Sequence, residues 1–166
     1  MKMDRRLGSL MGMFVGDAIA MPVHWYYDLR QLREDYGQIE TYTEPKDRFM
    51  NSIMNLSNTG GGGRGSDQGD IVGRVILHGK KKYWVRGGNY HYHLGLKAGE
   101  NTLEAQLSRL LLKCCAETPP NIDSADGIGE FKAKFLDRYV SFMTTPGSHN
   151  DTCKHNPLNN YFDNDV

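Results

Sequence analysis

The feature that most constrains the fold is a helical apolar repeat that follows directly on a polar segment, HYHLGLKAGENT, at residues 91–102. From Leu103 the apolar side chains recur at the i, i+4, i+7, i+8 and i+11 positions, through Cys114. This spacing places them on one face of an amphipathic helix. Asn101 before the repeat and Glu104 three residues later have the pattern of a capping box. The sequence therefore predicts a helix that begins beside a cluster of polar side chains.

The cluster consists of Glu100, Asn101 and Thr102. Its side-chain oxygens suit a cation, whereas the N–H groups of a helix N-terminus suit a phosphate. A simple helix cap accounts for the same residues. The pattern alone leaves these three interpretations open.

A second helical repeat runs from Leu7 to Ile19 and ends before Pro22. Glycine in a helix costs about 1 kcal/mol relative to alanine. A face of small residues therefore predicts close approach of another backbone or a ligand, or tight helix packing alone. That face contains Gly8, Gly12, Gly16 and Ala20.

Asp17 lies near the C-terminal end of this predicted helix. The helix dipole disfavours a carboxylate there unless a positive group offsets it. Asp17 is therefore a candidate site residue, and a structural carboxylate with satisfied hydrogen bonds is the alternative.

Histidines and aromatic residues lie near both predicted helices, after the first and before the second. His24 opens the cluster HWYYD just after Pro22, a usual place for groups that line a pocket. His91 and His93 are two residues apart and are predicted to line a pocket or to pack. Zinc binding is an alternative, but no further ligand lies at a recognisable spacing.

The remaining elements are predicted from local patterns. A short helix is expected at 29–36, a mobile glycine-rich loop at 57–70, a small β-hairpin near 71–86, and a final helix after Pro119 and Pro120. The expected core consists of Leu10, Phe14, Leu107, Leu110, Leu111, Phe135, Leu136 and Tyr139.

Composition bounds the class of protein. The chain has 166 residues, with 20 basic and 20 acidic side chains, so no global field favours nucleic acid or an anionic membrane. Its three cysteines form neither a disulfide framework nor a Cys-x-x-Cys metal motif. The N-terminal apolar run is interrupted by glycines and Asp17, so neither a signal peptide nor a membrane span is expected. A cytoplasmic location is predicted.

Two stretches together resemble the ADP-ribosylglycohydrolase family, particularly its branch that includes the J-crystallins. They are GSLMGMFVGDAIAMPVHWYYD at 8–28 and HYHLGLKAGENTLEAQLSRLL at 91–111. The resemblance implies a mainly α, orthogonal helical fold and a site with two magnesium ions. It also implies hydrolysis of ADP-ribose glycosidic bonds, with ADP-ribosylated protein or an ADP-ribose-like small molecule as the partner. Magnesium prefers hard oxygen ligands, as this site would offer.

The resemblance also assigns residues. Gly16, Asp17 and Ala18 match the family's Gly-Asp-Ala motif, and residues 99–102 fall on its Thr-Asp-Asp-Thr turn. His24 stands where many relatives have a glutamate near the metals. The implied site has Asp17 and Glu100 as catalytic residues, Glu100, Asn101 and Thr102 as metal ligands, and His24, His91 and His93 as substrate-binding residues.

The resemblance covers roughly residues 5–152 and only the first half of the family domain. The family's Gly-Asn-Gly-type segment and its later Asp-x-Asp-Thr motif are absent from the sequence. Residues 1–166 are therefore expected to form a single, incomplete domain that does not hydrolyse ADP-ribose conjugates by itself. The alternative function is a non-catalytic, crystallin-like or nucleotide-sugar-binding role.

Overall fold

The computed structural model describes residues 4–50, 71–83 and 88–152. Within these ranges the regular structure is helical, so the mainly α prediction is confirmed. The four α-helices are α1 (Arg5–Ala20), α2 (Leu29–Tyr36), α3 (Leu103–Glu117) and α4 (Ala125–Thr144). Short 3-10 helices occupy Met21–Val23 and Lys81–Tyr83. None of the helices in the described ranges is long and apolar enough to cross a membrane.

Local capping accounts for where the first two helices begin. Asp4 accepts a hydrogen bond from the backbone N–H of Arg6, and Asp28 accepts from the N–H groups at the start of α2. These bonds satisfy donors that a helix N-terminus leaves without partners. Pro22 falls inside the 3-10 turn after α1, and Gly37 ends α2 with a φ of 62°. Both helices therefore lie where the sequence predicts them.

The core lies where α3 and α4 pack with the segment 71–77. Each buried aliphatic or aromatic side chain contributes about 1.5–3 kcal/mol through removal from water. Leu110 and Phe135 are half-buried against this cluster. The buried members are Val72, Ile76, Leu77, Leu103, Leu107, Tyr139 and Met143.

Two residues of the predicted core are exposed instead. Leu111 is 38% exposed and Leu136 is 40% exposed. Each follows a residue packed against the core, and one step along a helix rotates the side chain by about 100° toward solvent. The prediction of a wider buried face was therefore wrong at these positions.

The β-hairpin predicted near 71–86 is also corrected. The N–H groups of Val75 and Ile76 both donate to the carbonyl of Ile71, so the chain coils back on itself. Gly73 and Gly79 have φ values of 95° and 74°, which suit turns rather than strands. Only an isolated bridge joins Val72 to Ile76. Residues 84–86 of the predicted second strand, the glycine-rich loop at 57–70 and Cys153 lie outside the described residues.

The glycine face of α1 is open within the described part of the chain. A Cβ atom added at Gly12 or Gly16 would meet nothing within 4 Å. No described backbone approaches these two glycines, and the approach of a ligand to this face stays a prediction. Apolar residues of the same helix are also exposed, namely Leu7, Met11, Met13, Val15 and Ile19.

Candidate functional site

The C-terminal part of α1 meets the N-terminus of α3 at the Asp17 carboxylate. Its Oδ2 accepts hydrogen bonds from Asn101 Nδ2 at 2.9 Å and from the Thr102 N–H at 2.8 Å. Its Oδ1 accepts from the Thr102 hydroxyl at 2.6 Å. The positive end of the α3 dipole therefore offsets the unfavourable position of Asp17 on α1.

A second carboxylate caps the same helix from a distant segment. Asp151 Oδ2 accepts from the Leu103 N–H at 2.8 Å. Thr102 occupies the N-cap position and its side chain makes no capping bond, so the predicted Asn101–Glu104 capping box is wrong. The Asn101 amide donates instead to the Phe14 carbonyl and to Asp17. Tertiary partners have replaced the local cap.

Asp151 was not identified from the sequence. It lies in the polar segment that follows Pro146, where no periodic pattern distinguishes it from its neighbours. The available signal was its place between an asparagine and a threonine, which is too common to indicate a site. Its side chain is fully buried, and that property depends on long-range packing.

Asp151 begins a chain of hydrogen bonds that reaches the surface through two histidines. Both of its carboxylate oxygens lie 3.0 Å from His93 Nδ1. His93 Nε2 lies 2.5 Å from His24 Nδ1. His93 and Asp151 are completely buried, whereas His24 is exposed. We call this chain the Asp151–His93–His24 relay.

The carboxylate fixes the neutral tautomers of the two rings. A carboxylate accepts hydrogen bonds, so His93 Nδ1 carries its hydrogen toward Asp151. His93 Nε2 is then an acceptor, and His24 Nδ1 donates to it. The hydrogen of His24 is therefore on Nδ1, and Nε2 has a lone pair. Desolvation, followed by the charge that His93 can carry, lowers the pKa of His24 below its ordinary value.

His91 lies behind this relay and anchors its loop. Its Nε2 donates to the Pro22 carbonyl at 3.0 Å, and its Nδ1 accepts from the His93 N–H at 3.0 Å. Burial lowers the pKa of His91 to about 4. Both histidines considered above for zinc binding are therefore hydrogen-bonded within the protein, His93 in the relay and His91 to backbone groups. No group of three or more potential metal-ligating side chains occurs among residues 4–50, 71–83 and 88–152.

An open pocket lies where α1 and α3 meet. Its volume is about 570 Å³, which is within the range of small-molecule sites. The structure brings three predicted site residues together in its wall, namely Asp17, His24 and Thr102. Trp25 and Glu104 line it as well.

Trp25 is held in an unusual conformation at this pocket. Its φ is 70°, a left-handed value that costs a bulky residue conformational energy. Its ring stacks on His24 with the centroids 5.0 Å apart and packs edge-on against Tyr92 at 5.6 Å. Its buried indole Nε1 has no hydrogen-bond partner within the described part of the chain. Strain and an unpaired donor at a pocket are typical of a functional position.

Two other predicted site residues line a different cavity. Glu100 and Asn101 face a space of about 310 Å³ that Arg109 and His149 also line. Glu100 Oε2 accepts from the Lys97 N–H at 2.8 Å, and its Oε1 accepts from the Asn150 amide at 2.9 Å. Asp17 and Glu100 thus lie in the walls of separate cavities.

The hydrogen bonds of the predicted ligands determine whether these residues fit a magnesium ion. The side-chain oxygen Oδ1 of Asn101 accepts from the Arg109 guanidinium, whose positive charge opposes a cation at that oxygen. The Thr102 hydroxyl donates its hydrogen to Asp17, and both Glu100 oxygens have protein donors. Magnesium needs near-octahedral oxygen ligands, of which one or two are usually carboxylates. As arranged here, the predicted ligands do not fit a bound magnesium ion.

Comparison with known proteins gives one result. A family model described as ADP-ribosylglycohydrolase matches residues 1–161. No significant match was found among curated proteins or solved structures. The family acts on ADP-ribosylated substrates and uses metal ions. Because the match spans nearly all 166 residues, this chain belongs to the ADP-ribosylglycohydrolase family.

Proposed function

We propose that this chain binds an ADP-ribose-like nucleotide sugar, with the sugar in the pocket between α1 and α3. The observation that carries the proposal is the open pocket itself, which combines an aromatic wall with carboxylates. Free ADP-ribose-like molecules and ADP-ribosylated proteins both present this group. A cytoplasmic location stays a prediction.

The lining of the pocket determines which part of the ligand suits it. Glu104 is exposed at the pocket, and a carboxylate accepts hydrogen bonds from sugar hydroxyls. The Trp25 ring offers an apolar face on which a sugar ring can pack. Among the described residues that line the pocket, none is lysine or arginine. We infer that the ribose enters the pocket and that the diphosphate stays outside it.

The donor arrangement favours binding over magnesium-assisted hydrolysis. The oxygens of Glu100, Asn101 and Thr102 are engaged by protein groups, so a two-ion site would require several hydrogen bonds to be exchanged. We therefore propose a nucleotide-sugar-binding role first. The family's magnesium-dependent reaction is the second candidate, which a magnesium titration of the same protein tests.

Trp25 fluorescence measures the binding. The chain has a second tryptophan, Trp84, so a Trp84→Phe background makes Trp25 the only tryptophan fluorophore. Titration with ADP-ribose should quench this signal to saturation, whereas AMP, which lacks the second ribose, should bind more weakly. Glu104→Gln should weaken ADP-ribose binding about tenfold or more, because a hydrogen bond to a charged group contributes about 1.5–3 kcal/mol.

The matched control is Glu130→Gln, which removes an exposed carboxylate from α4 and should leave binding unchanged. Equal affinity for ADP-ribose in the Glu104→Gln variant and the parent would contradict the proposed sugar contact. Affinity for AMP equal to that for ADP-ribose would show that the terminal ribose is not recognised.

A further inference from the structure

Positive charge is concentrated in residues 71–99, although the whole chain has no net charge. This stretch contains six lysines and arginines and neither aspartate nor glutamate. Arg74, Lys81 and Lys82 are exposed within it. Exposed charges act over about 8 Å at physiological ionic strength. A local excess of one sign therefore attracts a partner of the opposite sign even on a neutral protein.

Two aromatic rings hold cations on this surface. Lys82 Nζ lies 5.1 Å from the centre of the Tyr83 ring, and this ring packs edge-on against Tyr90 with the centroids 5.3 Å apart. The Arg48 guanidinium lies 4.5 Å from the centre of the Tyr90 ring, and its Nη2 donates to the Tyr90 hydroxyl at 2.9 Å. Aromatic rings attract cations at such distances. We call Lys82, Tyr83, Tyr90 and Arg48 the cation–tyrosine row.

Acidic side chains of the described structure do not neutralise the two cations of the row. Asp47 precedes Arg48 in sequence but forms no ion pair with it. The ion pairs in the described ranges involve Arg30, Lys46, His93, Lys97 and Arg138 instead. Arg48 and Lys82 are both exposed. A guanidinium has five N–H donors and an ammonium has three, so donors remain for an anionic partner.

The row begins beside the wall of the pocket between α1 and α3. An antiparallel bridge pairs Arg48 with Tyr90. Tyr92, two residues further on, packs edge-on against Trp25 of the pocket wall at 5.6 Å. Two residues of chain span at most about 7 Å. His91 between the two tyrosines is fully buried, whereas both tyrosines are half-buried. A chain attached to a ligand in the pocket can therefore reach the row.

We propose that the cation–tyrosine row binds an acidic segment of the ADP-ribosylated protein, next to its modified residue. The proposal rests on the proposed binding of the nucleotide sugar, and it adds recognition of the protein to which the sugar is attached. A guanidinium matches the geometry of a carboxylate, and an ammonium supplies a point charge beside it. Conjugates with aspartate or glutamate near the modified residue should therefore bind more tightly than neutral ones.

Two features of the row favour an acidic peptide over a single-stranded nucleic acid. Proteins that hold single strands use aromatic faces on which successive bases stack. Both tyrosine rings of the row are half-buried, and each has a cation over it. The row therefore offers cations that are held in place rather than open faces for stacking.

The experiment measures binding of fluorescein-labelled peptides by anisotropy, with the full chain in buffer without magnesium so that the conjugates stay intact. Two peptides carry ADP-ribose on the same central residue, which is flanked by aspartates in one and by asparagines in the other. The aspartate peptide should bind about fivefold more tightly, because exposed ion pairs are individually weak. This preference should disappear near 1 M salt, where the screening length is about 3 Å.

A double variant, Arg48→Gln with Lys82→Gln, tests the residues of the row. It should bind both peptides equally and bind free ADP-ribose as wild type does, which also shows that the pocket is folded. The matched control is Lys132→Gln with Lys134→Gln, which removes two exposed positive charges from α4. The control should keep the preference for the aspartate peptide.

Four results would overturn the proposal. They are equal affinity of wild type for the two peptides, a preference that survives in the double variant, a preference that the control also loses, and tighter binding of a single-stranded oligonucleotide than of the aspartate peptide. If the double variant weakens free ADP-ribose as much as the aspartate peptide, the row holds the diphosphate, and the proposal is again overturned.

The failure of the binding function would give a different result. Neither free ADP-ribose nor the asparagine conjugate would then bind. The unmodified aspartate peptide would decide the proposal in that case, compared with its asparagine counterpart at low salt. Tighter binding of the aspartate peptide, lost in the double variant, would support an acidic partner for the row. Equal binding of the two unmodified peptides would overturn it.

Discussion

Asp17 links two helices, because it belongs to α1 and its carboxylate accepts hydrogen bonds from the start of α3. It is half-buried on α1, yet its three hydrogen bonds within the described structure come from Asn101 and Thr102 at the start of α3. These donors satisfy the hydrogen-bonding capacity of a half-buried carboxylate. Asp17 therefore has the satisfied hydrogen bonds of a structural carboxylate, and its role as a site residue stays a prediction.

Asp17→Asn should lower the free energy of unfolding by about 2–3 kcal/mol. The amide would place its NH₂ group against donors from Thr102, and hydrogen bonds to charged groups contribute about 1.5–3 kcal/mol. Urea denaturation of wild type and variant measures the difference. Asp137→Asn on the exposed face of α4 should stay within about 0.5 kcal/mol of wild type. A similar small effect of Asp17→Asn would contradict a structural role for this carboxylate.

Among the helices, α1 differs from α3 and α4 in what its faces contact. α3 and α4 bury Leu103, Leu107, Tyr139 and Met143 in a shared core, whereas Ala18 is the only fully buried residue within the bounds of α1. Its end is held by polar bonds at Asp17 and by the buried 3-10 turn that follows. Helix α1 is thus held chiefly at its C-terminal end in the described structure.

The open glycine face of α1 leads to a stability prediction. Gly12→Ala and Gly16→Ala should each raise the free energy of unfolding by about 1 kcal/mol, because alanine restricts the unfolded chain and favours a helix. A Cβ at either position meets nothing within 4 Å among the described residues. Thermal and urea unfolding of the two variants measure the gain. A loss of stability at either position would show that some other group lies against this face.

At the scale of the whole molecule, long-range polar bonds join segments that are far apart in the chain. Lys80 Nζ donates to the carbonyls of His149 and Asp151 at 2.9 and 2.8 Å. The Thr152 hydroxyl donates to the Tyr92 carbonyl at 2.6 Å. These bonds hold the segment around Asp151 against the histidine loop. The site therefore exists only when the described ranges are folded together.

Buried histidines should make this assembly sensitive to acid. Burial lowers the pKa of both His91 and His149 from the ordinary 6.5 to about 4. Below pH 6.5 these histidines are protonated in the unfolded chain but still neutral in the folded chain. The free energy of unfolding therefore falls as the pH drops from about 6.5 to about 4. A difference of this size corresponds to about 3 kcal/mol for each histidine.

Urea unfolding at a series of pH values measures this dependence. His149→Phe keeps a ring against Phe142, on which His149 stacks, and removes one titrating group. Its stability should depend on pH less steeply in this range than that of wild type, because one of the buried histidines no longer titrates. An unchanged slope would contradict the assignment of His149 as a buried neutral histidine.

Short-range patterns were enough to predict the helices of this chain, and long-range packing decided the rest. The repeat after Leu103 and the stop at Pro22 depend on the 3.6-residue period and on proline's missing N–H, both of which are local. The hairpin prediction failed because the chain turns back on Ile71 at Gly73, so that Val72 and Ile76 reach the core from a turn and not from paired strands.

The residues of the candidate site also differ in whether local patterns or long-range packing determine them. Asp17, His24 and Thr102 were selected from local motifs and from the family resemblance, and they line one pocket. Asp151 is 58 residues from His93 in sequence, so no periodicity connects them. Their hydrogen bond, the burial of both groups and the separation of Glu100 from Asp17 follow from how distant segments pack. Only tertiary structure could decide these features, because a side chain's partners and its exposure to water are set by the folded surroundings.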